Sequence, residues 1–477
     1  MHNIPLALTY DDVLIVPKRS TLTSRREANT KTRLTKKISL NIPIVSANMD
    51  SVTGPEMAIT MARLGGIGIV HRFMTIEENV EAIKKVKRAQ NYIITDPYTI
   101  EPTKTVGEAR EFINNIGASG LIVANGDHRL RGILSSRDLL LATSDYQLVG
   151  EVMTPREKLV VGSKDTTFAE AKKKMAEHKV EKLPLVDNDN VVVGLITLTD
   201  IKHLNDYPHA NVDNDGQLIV GGSVGVTGDY MERAQALAEA GVDVLVLDIA
   251  HGHSDLMFNA ISKVRAICGD IQIIAGNIAT AEAARELCEA GVDAVKIGVG
   301  PGTICITRMV TGCGMPQLTA VMQCSAVAKK YGVPVIADGG IQRSGDIVKA
   351  IAAGADTMMA GSLFTGTTES PGSIMTRGGK KYKMYSGSAS YLVSHHRKSA
   401  KLEKKDLSEV VPEGVESIVP FRGTVVDIVN QLVGGLKSGM SYTNSRTISE
   451  LQNNTEFVQI TAAGWKESGA HDVGEIK

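Results

Sequence analysis

Val242-Asp243-Val244-Leu245-Val246-Leu247-Asp248 is almost wholly apolar and follows a helical stretch of the type Met231-Glu232-Arg233-Ala234-Gln235-Ala236-Leu237. A strand that does not alternate apolar with polar residues is buried on both faces, which implies a parallel sheet covered by helices or closed into a barrel. From about residue 216 onward the pattern recurs at intervals of roughly 20 to 25 residues. Its strands are Leu218 to Val226, Val242 to Asp248, Ile271 to Ala275, Ala294 to Gly298, Val333 to Ala337 and Thr357 to Ala360. Two more occur early, at Ile42 to Ala47 and Gly66 to Val70, with the helix Pro55 to Leu64 between them. Eight such strands predict an α/β chain of the TIM (β/α)8 barrel class.

The barrel pattern is interrupted. Val106-Gly107-Glu108-Ala109-Arg110 recurs as Phe168-Ala169-Glu170-Ala171-Lys172, and Gly132-Ile133-Leu134-Ser135-Ser136-Arg137-Asp138 as Gly194-Leu195-Ile196-Thr197-Leu198-Thr199-Asp200, both at an offset of 62 residues (106 to 168, 132 to 194). A repeated supersecondary unit implies two copies packed on each other. The pair resembles tandem CBS domains, a resemblance that implies ribose of an adenine or guanine nucleotide held by Ser135 with Asp138 and by Thr197 with Asp200. Local physics offers another reading, in which each Asp simply caps the helix that follows. The expected domains are residues 1–91 as the first part of the barrel, 92–206 as the CBS pair, and 207–477 as the rest of the barrel.

Composition narrows the function. The 52 basic and 53 acidic residues leave a formal net charge of −1, which favours neither nucleic acid nor a membrane surface as partner. No apolar run reaches the length of about 20 residues needed to span a bilayer, and Met1-His2-Asn3-Ile4-Pro5 lacks the regions of a signal peptide, so a cytoplasmic location is expected. The five cysteines, Cys268, Cys288, Cys305, Cys313 and Cys324, are odd in number and show no CxxC spacing, against both a disulfide framework and a zinc cluster.

One cysteine stands apart. Gly298-Val299-Gly300-Pro301-Gly302-Thr303-Ile304-Cys305-Ile306-Thr307-Arg308 places a thiol at the end of a glycine-dense loop after a strand, where backbone amides favour a thiolate and a substrate can approach closely. Thr307 is suited to relay a proton beside it. Cys268, Cys288 and Cys324 lie among apolar helical neighbours and read as core, while Cys313 in a Gly-Cys-Gly turn fits either role. The loops after strands seven and eight, Asp338-Gly339-Gly340 and Gly361-Ser362, have the small residues that phosphate needs, and Asp338 can accept from ribose hydroxyls. A nucleotide monophosphate is the ligand such loops suit.

Several motifs in order resemble the IMP dehydrogenase and GMP reductase family: Leu8-Thr9-Tyr10-Asp11-Asp12-Val13-Leu14, Gly300-Pro301-Gly302-Thr303-Ile304-Cys305, Asp338-Gly339-Gly340, Tyr385 to Ser390 and Pro412-Glu413-Gly414. The resemblance implies that Cys305 attacks C2 of a purine nucleotide to form a thioimidate, with Thr307 and Glu413 as the catalytic dyad. Thr303, Asp338, Gly339, Gly340, Gly361, Ser362, Tyr385 and Gly387 would hold the nucleotide, and Asp248, Gly298 and Gly300 the nicotinamide end of NADPH or NAD. Backbone carbonyls of Gly300, Gly302 and Cys305 match a monovalent-cation site, expected to take potassium, and the family's shared sites imply a homotetramer or octamer.

Between the two activities, the deciding stretch is Tyr391-Leu392-Val393-Ser394-His395-His396-Arg397-Lys398-Ser399-Ala400-Lys401-Leu402, where dehydrogenases carry an Arg-Tyr pair that activates water and this chain has none. The basic run His395 to Lys398 could substitute, or be a solvated loop. Pro17 to Leu22, Ala47 to Asp50 and Thr311 to Leu318 resemble reductases, whereas the repeat, Ala250-His251-Gly252-His253-Ser254 and the tail Glu467 to Val473 resemble dehydrogenases. Ser386 also departs from the arginine usual there in dehydrogenases. The expectation is reductive deamination of GMP to IMP with NADPH. The alternatives are NAD-dependent oxidation of IMP to XMP and a catalytically idle nucleotide sensor.

Overall fold

The structure is a computed structural model that describes residues 4–89, 94, 97–199, 201, 207–387, 389–390 and 411–470. It divides into two compact units, one of residues 1–89, 209–213 and 218–477, the other of residues 90–208 and 214–217.

The first unit is a closed parallel barrel. Its strands are β1 (Ile44–Ser46), β2 (Ile67–Val70), β3 (Gly221–Val224), β4 (Val244–Asp248), β5 (Gln272–Ile278), β6 (Ala294–Ile297), β7 (Val335–Asp338) and β8 (Thr357–Ala360). Each pairs with the next, and β8 closes on β1 through Met359 opposite Val45. The eight strands expected from the apolar runs are therefore the eight of the barrel, most of them trimmed by a few residues at their ends, whereas β5 runs on to Ile278 and β7 to Asp338. Helices α1 (Pro55–Arg63), α2 (Ile76–Arg88), α3 (Tyr230–Glu239), α4 (Asp255–Cys268), α5 (Ala281–Glu289), α6 (Gln317–Ala328), α7 (Ser344–Ala352) and α8 (Val425–Tyr442) accompany them.

A short motif recurs where helices turn back into strands. Gly241-Val242-Asp243, Gly291-Val292-Asp293 and Gly354-Ala355-Asp356 each begin with a glycine at positive φ (+86°, +86° and +107°), a conformation other residues adopt only with strain. Each ends in an aspartate that accepts an amide from the preceding strand: Val220 at 2.8 Å, Ile273 at 2.9 Å and Val335 at 2.9 Å. The motif thus ends a helix and stitches neighbouring strands at the barrel's lower rim, leaving the opposite end free for chemistry. Helix starts are written as plainly, with Pro55 in the first turn of α1, Thr75 and Glu78 closing a capping box on α2, and Thr280 accepting the Ala283 amide on α5.

The second unit repeats itself. Helix Val106–Ile116 and strands Gly120–Ala124 and Leu130–Ser135 are answered by helix Phe168–His178 and strands Lys182–Val186 and Val192–Thr197, each displaced by the 62 residues of the sequence repeat (106 to 168, 120 to 182, 130 to 192). Ile122, Ala124, Leu130 and Ile133 of the first copy share one buried cluster with Val186 and Leu195 of the second. Among the described residues, no helix is long and apolar enough to cross a membrane.

Candidate active site

The upper ends of the barrel strands surround a cavity of about 490 Å3, within the range of small-ligand pockets. Asp248 is the last residue of β4 and Asp338 the last of β7, so both carboxylates reach this mouth. Between them rises Lys296 from β6, only 2% exposed. Its ammonium donates to Asp248 Oδ1 at 3.0 Å, to Asp338 Oδ2 at 2.9 Å and to Asn277 Oδ1. Burial works against the charge on Lys296, but Asp338 and Asp248 together outweigh it and hold the ammonium's pKa above its usual value. Burial likewise opposes ionisation of Asp248, and Lys296 followed by Arg72 overcomes it, so this carboxyl is held below the usual range.

The Cys305 loop is fastened on both sides. Gly298 and Gly300 take positive φ (+149° and +85°), and a methyl on Gly298 would stand 2.0 Å from the Asp338 carbonyl oxygen. Beyond them Cys305 bridges antiparallel to Gly414, with the Ile306 amide donating to Glu413 O at 2.8 Å and the Val415 amide to Ile304 O at 3.1 Å. This pairing is what brings Glu413, distant in sequence, beside Cys305. Cys305 Sγ lies 3.2 Å from Thr307 Oγ1, within hydrogen-bond reach of sulfur. The other thiols are placed differently. Burial pushes Cys288 up to about 11 and Cys324 up to about 12, which suits inert core residues, while Cys313 is exposed.

The cavity gathers most of the residues expected from sequence: Cys305, Thr307 and Glu413; Asp338, Gly339, Tyr385 and Gly387; and Asp248, Gly298, Gly300 and Gly302 line it. Thr303 and Ser362 are not among the lining residues; Thr303, between the lining residues Gly302 and Ile304, donates from Oγ1 to Ser362 Oγ at 3.0 Å. Gly361 lies under the Tyr385 hydroxyl, and Gly340 (φ +78°) faces the Tyr10 ring. Tyr385 is 4% exposed, and burial first, then Asp338 and Cys305, raise its pKa, so its hydroxyl remains a proton donor across the working range.

Other expected residues fall elsewhere. Ser135 and Asp138 belong to the second unit, where the Ser135 amide and hydroxyl donate to Asp138 Oδ2 at 2.8 and 2.6 Å in a helix-capping arrangement. Thr197 ends a strand of that unit, while Asp200 and the stretch 391–402 lie outside the described residues. Sequence reading missed Lys296, Asn277, Arg72 and Asn48, all of which line the cavity. The one signal was Lys296 itself, a charge inside the apolar strand Ala294-Val295-Lys296-Ile297, where only a paired cation is tolerated.

Comparison with known proteins places this geometry. Residues 7–471 match the IMP dehydrogenase / GMP reductase domain. The chain is 48% identical to an inosine-5'-monophosphate dehydrogenase of Nitrosopumilus maritimus, over 98% of each chain. It is also 48% identical to a GMP reductase of Leishmania donovani, over 100% of this chain and 99% of the relative. Among solved structures, GMP reductase from Trypanosoma brucei in complex with guanosine 5'-monophosphate superposes with a TM-score of 0.94 at 46% identity, covering 99% of both chains. A barrel of this topology, a cysteine held over its mouth and a match along nearly the whole length have one reading: the chain belongs to the IMP dehydrogenase / GMP reductase family of oxidoreductases acting on purine nucleotides.

Proposed function

We propose that the chain reduces GMP to IMP and ammonia with NADPH, through a thioimidate on Cys305. The observation that carries the proposal is the Cys305–Thr307 contact at 3.2 Å in a cavity that Glu413 also lines. The Cys305 thiolate adds to C2 of the guanine, and the amino group departs once protonated, because an amide anion is too basic to leave. Thr307, hydrogen-bonded to the sulfur, is placed to pass a proton toward that nitrogen, with Glu413 as its partner. Tyr385, Ser362 and the amides around Gly339 and Gly361 hold the phosphate, and Asp338 accepts from the ribose.

Asp248 and Arg72 form a charged wall and Phe73, Val226 and Ile249 an apolar one, a lining that suits a nicotinamide ribose and its ring. When bound there, NADPH supplies the hydride that reduces C2. Asp248, Gly298 and Gly300 would orient it, and release of the thiolate then frees IMP. A potassium ion would take carbonyls of Gly300, Gly302 and Cys305. The Gly302 carbonyl already accepts the Cys305 amide at 3.1 Å, so one of its two lone pairs remains for a cation.

The lack of an Arg-Tyr pair in residues 391–402 favours reduction over the dehydrogenase reaction, which must activate water. The likeness to the Trypanosoma brucei GMP reductase supports the same side. The proposal extends to a cytoplasmic tetramer or octamer, and to the second unit as a CBS pair taking adenine or guanine nucleotides. Asp138 already accepts from Ser135, so a ribose there would share that carboxylate with the helix end.

The test is to offer GMP with NADPH and IMP with NAD side by side. Loss of reduced-nicotinamide absorbance with GMP supports the proposal; turnover of IMP alone refutes it. Thr307→Val and Glu413→Gln should each lower kcat by about 100- to 10,000-fold, the range for general acid-base groups, with little change in KM.

A further inference from the structure

Lys296 has no part in the bond-making steps, yet its surroundings are more elaborate than a structural ion pair requires. An ammonium at 2% exposure is strongly disfavoured unless its hydrogen bonds are all taken up. Here they are, by Asp338 Oδ2 at 2.9 Å, Asp248 Oδ1 at 3.0 Å and Asn277 Oδ1. Asn277 in turn donates from Nδ2 to Asp338 Oδ2 at 2.9 Å and to Gly298 O at 2.8 Å. Both donors therefore converge on one oxygen of Asp338, which leaves Oδ1 for a ligand. β6 lies beside β7 but two strands from β4, so this side chain reaches across the barrel mouth to join carboxylates that no backbone pairing connects.

We propose that Lys296 is a positioning residue that ties the two ribose subsites together: its ammonium, shared between Asp338 and Asp248, fixes both carboxylates and makes the monophosphate and the dinucleotide bind with mutual dependence. This rests on the assignment of Asp338 to the nucleotide and Asp248 to the nicotinamide ribose. A ligand that draws one carboxylate toward its hydroxyls alters what the ammonium gives to the other. Any such effect is reciprocal, since the coupling between two binding sites is a single free energy.

The coupling is measured by binding rather than turnover, with GMP and NADP⁺, a pair that cannot exchange hydride. Dissociation constants for each, alone and with the other saturating, are obtained by calorimetry for the full chain and for Lys296→Met, Lys296→Arg and Asp248→Asn. Lys296→Met should weaken both ligands by about 10- to 100-fold, the loss expected of a charge-assisted hydrogen bond, and abolish their mutual effect. Lys296→Arg keeps the charge and should recover part of both affinities.

Asp248→Asn guards against a Lys296 variant that fails to fold. It should weaken GMP measured without dinucleotide, because Asp338 is then the only carboxylate facing Lys296, which leans on it more and makes it a poorer acceptor. Unchanged GMP affinity in Asp248→Asn, or loss of only one ligand in a folded Lys296→Met, overturns the proposal. Repeating the titrations with IMP and NADH separates this outcome from the reductase reading. IMP carries the same ribose, so the bridge is judged on that pair even if the chain turns over IMP rather than GMP.

Discussion

Gly361→Ala separates binding from folding at the loop that we propose holds the phosphate. A methyl at this position would stand 3.0 Å from Tyr385 Oη and 3.1 Å from Met49 Sδ. Ordinary contacts between such atoms fall at about 3.5 to 4.0 Å, so each neighbour must give by about half an ångström. The Met49 thioether can turn aside at small cost, as flexible unbranched chains do. Tyr385 is 4% exposed and fixed on a strand paired with Glu416–Pro420, so its ring has little room and its hydroxyl is displaced from the cavity instead. If that hydroxyl donates to the phosphate, losing the bond costs about 1.5 to 3 kcal/mol, or about 10- to 100-fold in the KM for GMP, with kcat largely kept. The overpacking itself costs about 1 to 3 kcal/mol at most, leaving the fold intact. Steady-state kinetics at saturating NADPH, with thermal melting in parallel, reads both. The decisive comparison is Tyr385→Phe and the double variant. If Gly361→Ala acts through Tyr385, the two losses are not additive. Additive losses, or an unchanged KM in Gly361→Ala, would refute the reasoning.

Gly298→Ala should act on stability instead, because its methyl would meet the Asp338 backbone oxygen at 2.0 Å at a φ of +149°; we expect a lowered melting temperature together with lost activity, checked by calorimetry and assay. Cys305→Ala should abolish turnover while GMP still binds, since the nucleotide contacts assigned here lie on other residues; titration of GMP against the inactive variant checks it. His71 is buried, and burial first and then Arg233 lower its pKa from 6.5 to about 4. The unfolded chain thus takes up a proton at a pH where the folded one does not, so stability is full above about 6.5 and falls as pH drops toward 4, by up to about 3 kcal/mol. Thermal melts across that window should show the slope, and His71→Gln should flatten it.

The barrel was legible because its signals are local. Continuous apolar runs mark strands buried on both faces, and each such run acts over a few residues. Cys305 was legible for the same reason, as its glycine-rich loop is contiguous. The pairing that places it is not: the Glu413 backbone is brought beside Cys305 by a bridge between Cys305 and Gly414, and nothing in either segment alone specifies that partner. Lys296 is the intermediate case. Its charge inside an apolar strand announced a buried partner, but with β4, β5 and β7 all ending at one mouth, only the fold could say that the partners are Asp248, Asn277 and Asp338.

The site also explains why the two chemistries of the family are hard to tell apart from the barrel. In the proposed mechanism, attack of a thiolate on C2, a carboxylate for the ribose and glycine loops for the phosphate serve GMP and IMP equally, because the two nucleotides differ only at the carbon attacked. The residues that distinguish the reactions must act after the covalent bond forms, either by protonating a departing amine or by activating water. Thr307 sits against the sulfur at 3.2 Å and Glu413 lines the same cavity, and the mechanism we propose gives this pair the first task. The second needs a base brought in from outside the strands, and residues 391–402 offer histidines, arginine and lysine but no Arg-Tyr pair. Installing such a pair there should therefore add hydrolysis of the thioimidate without disturbing its formation, and XMP made from IMP and NAD by that variant would locate the difference between the two enzymes in this one stretch.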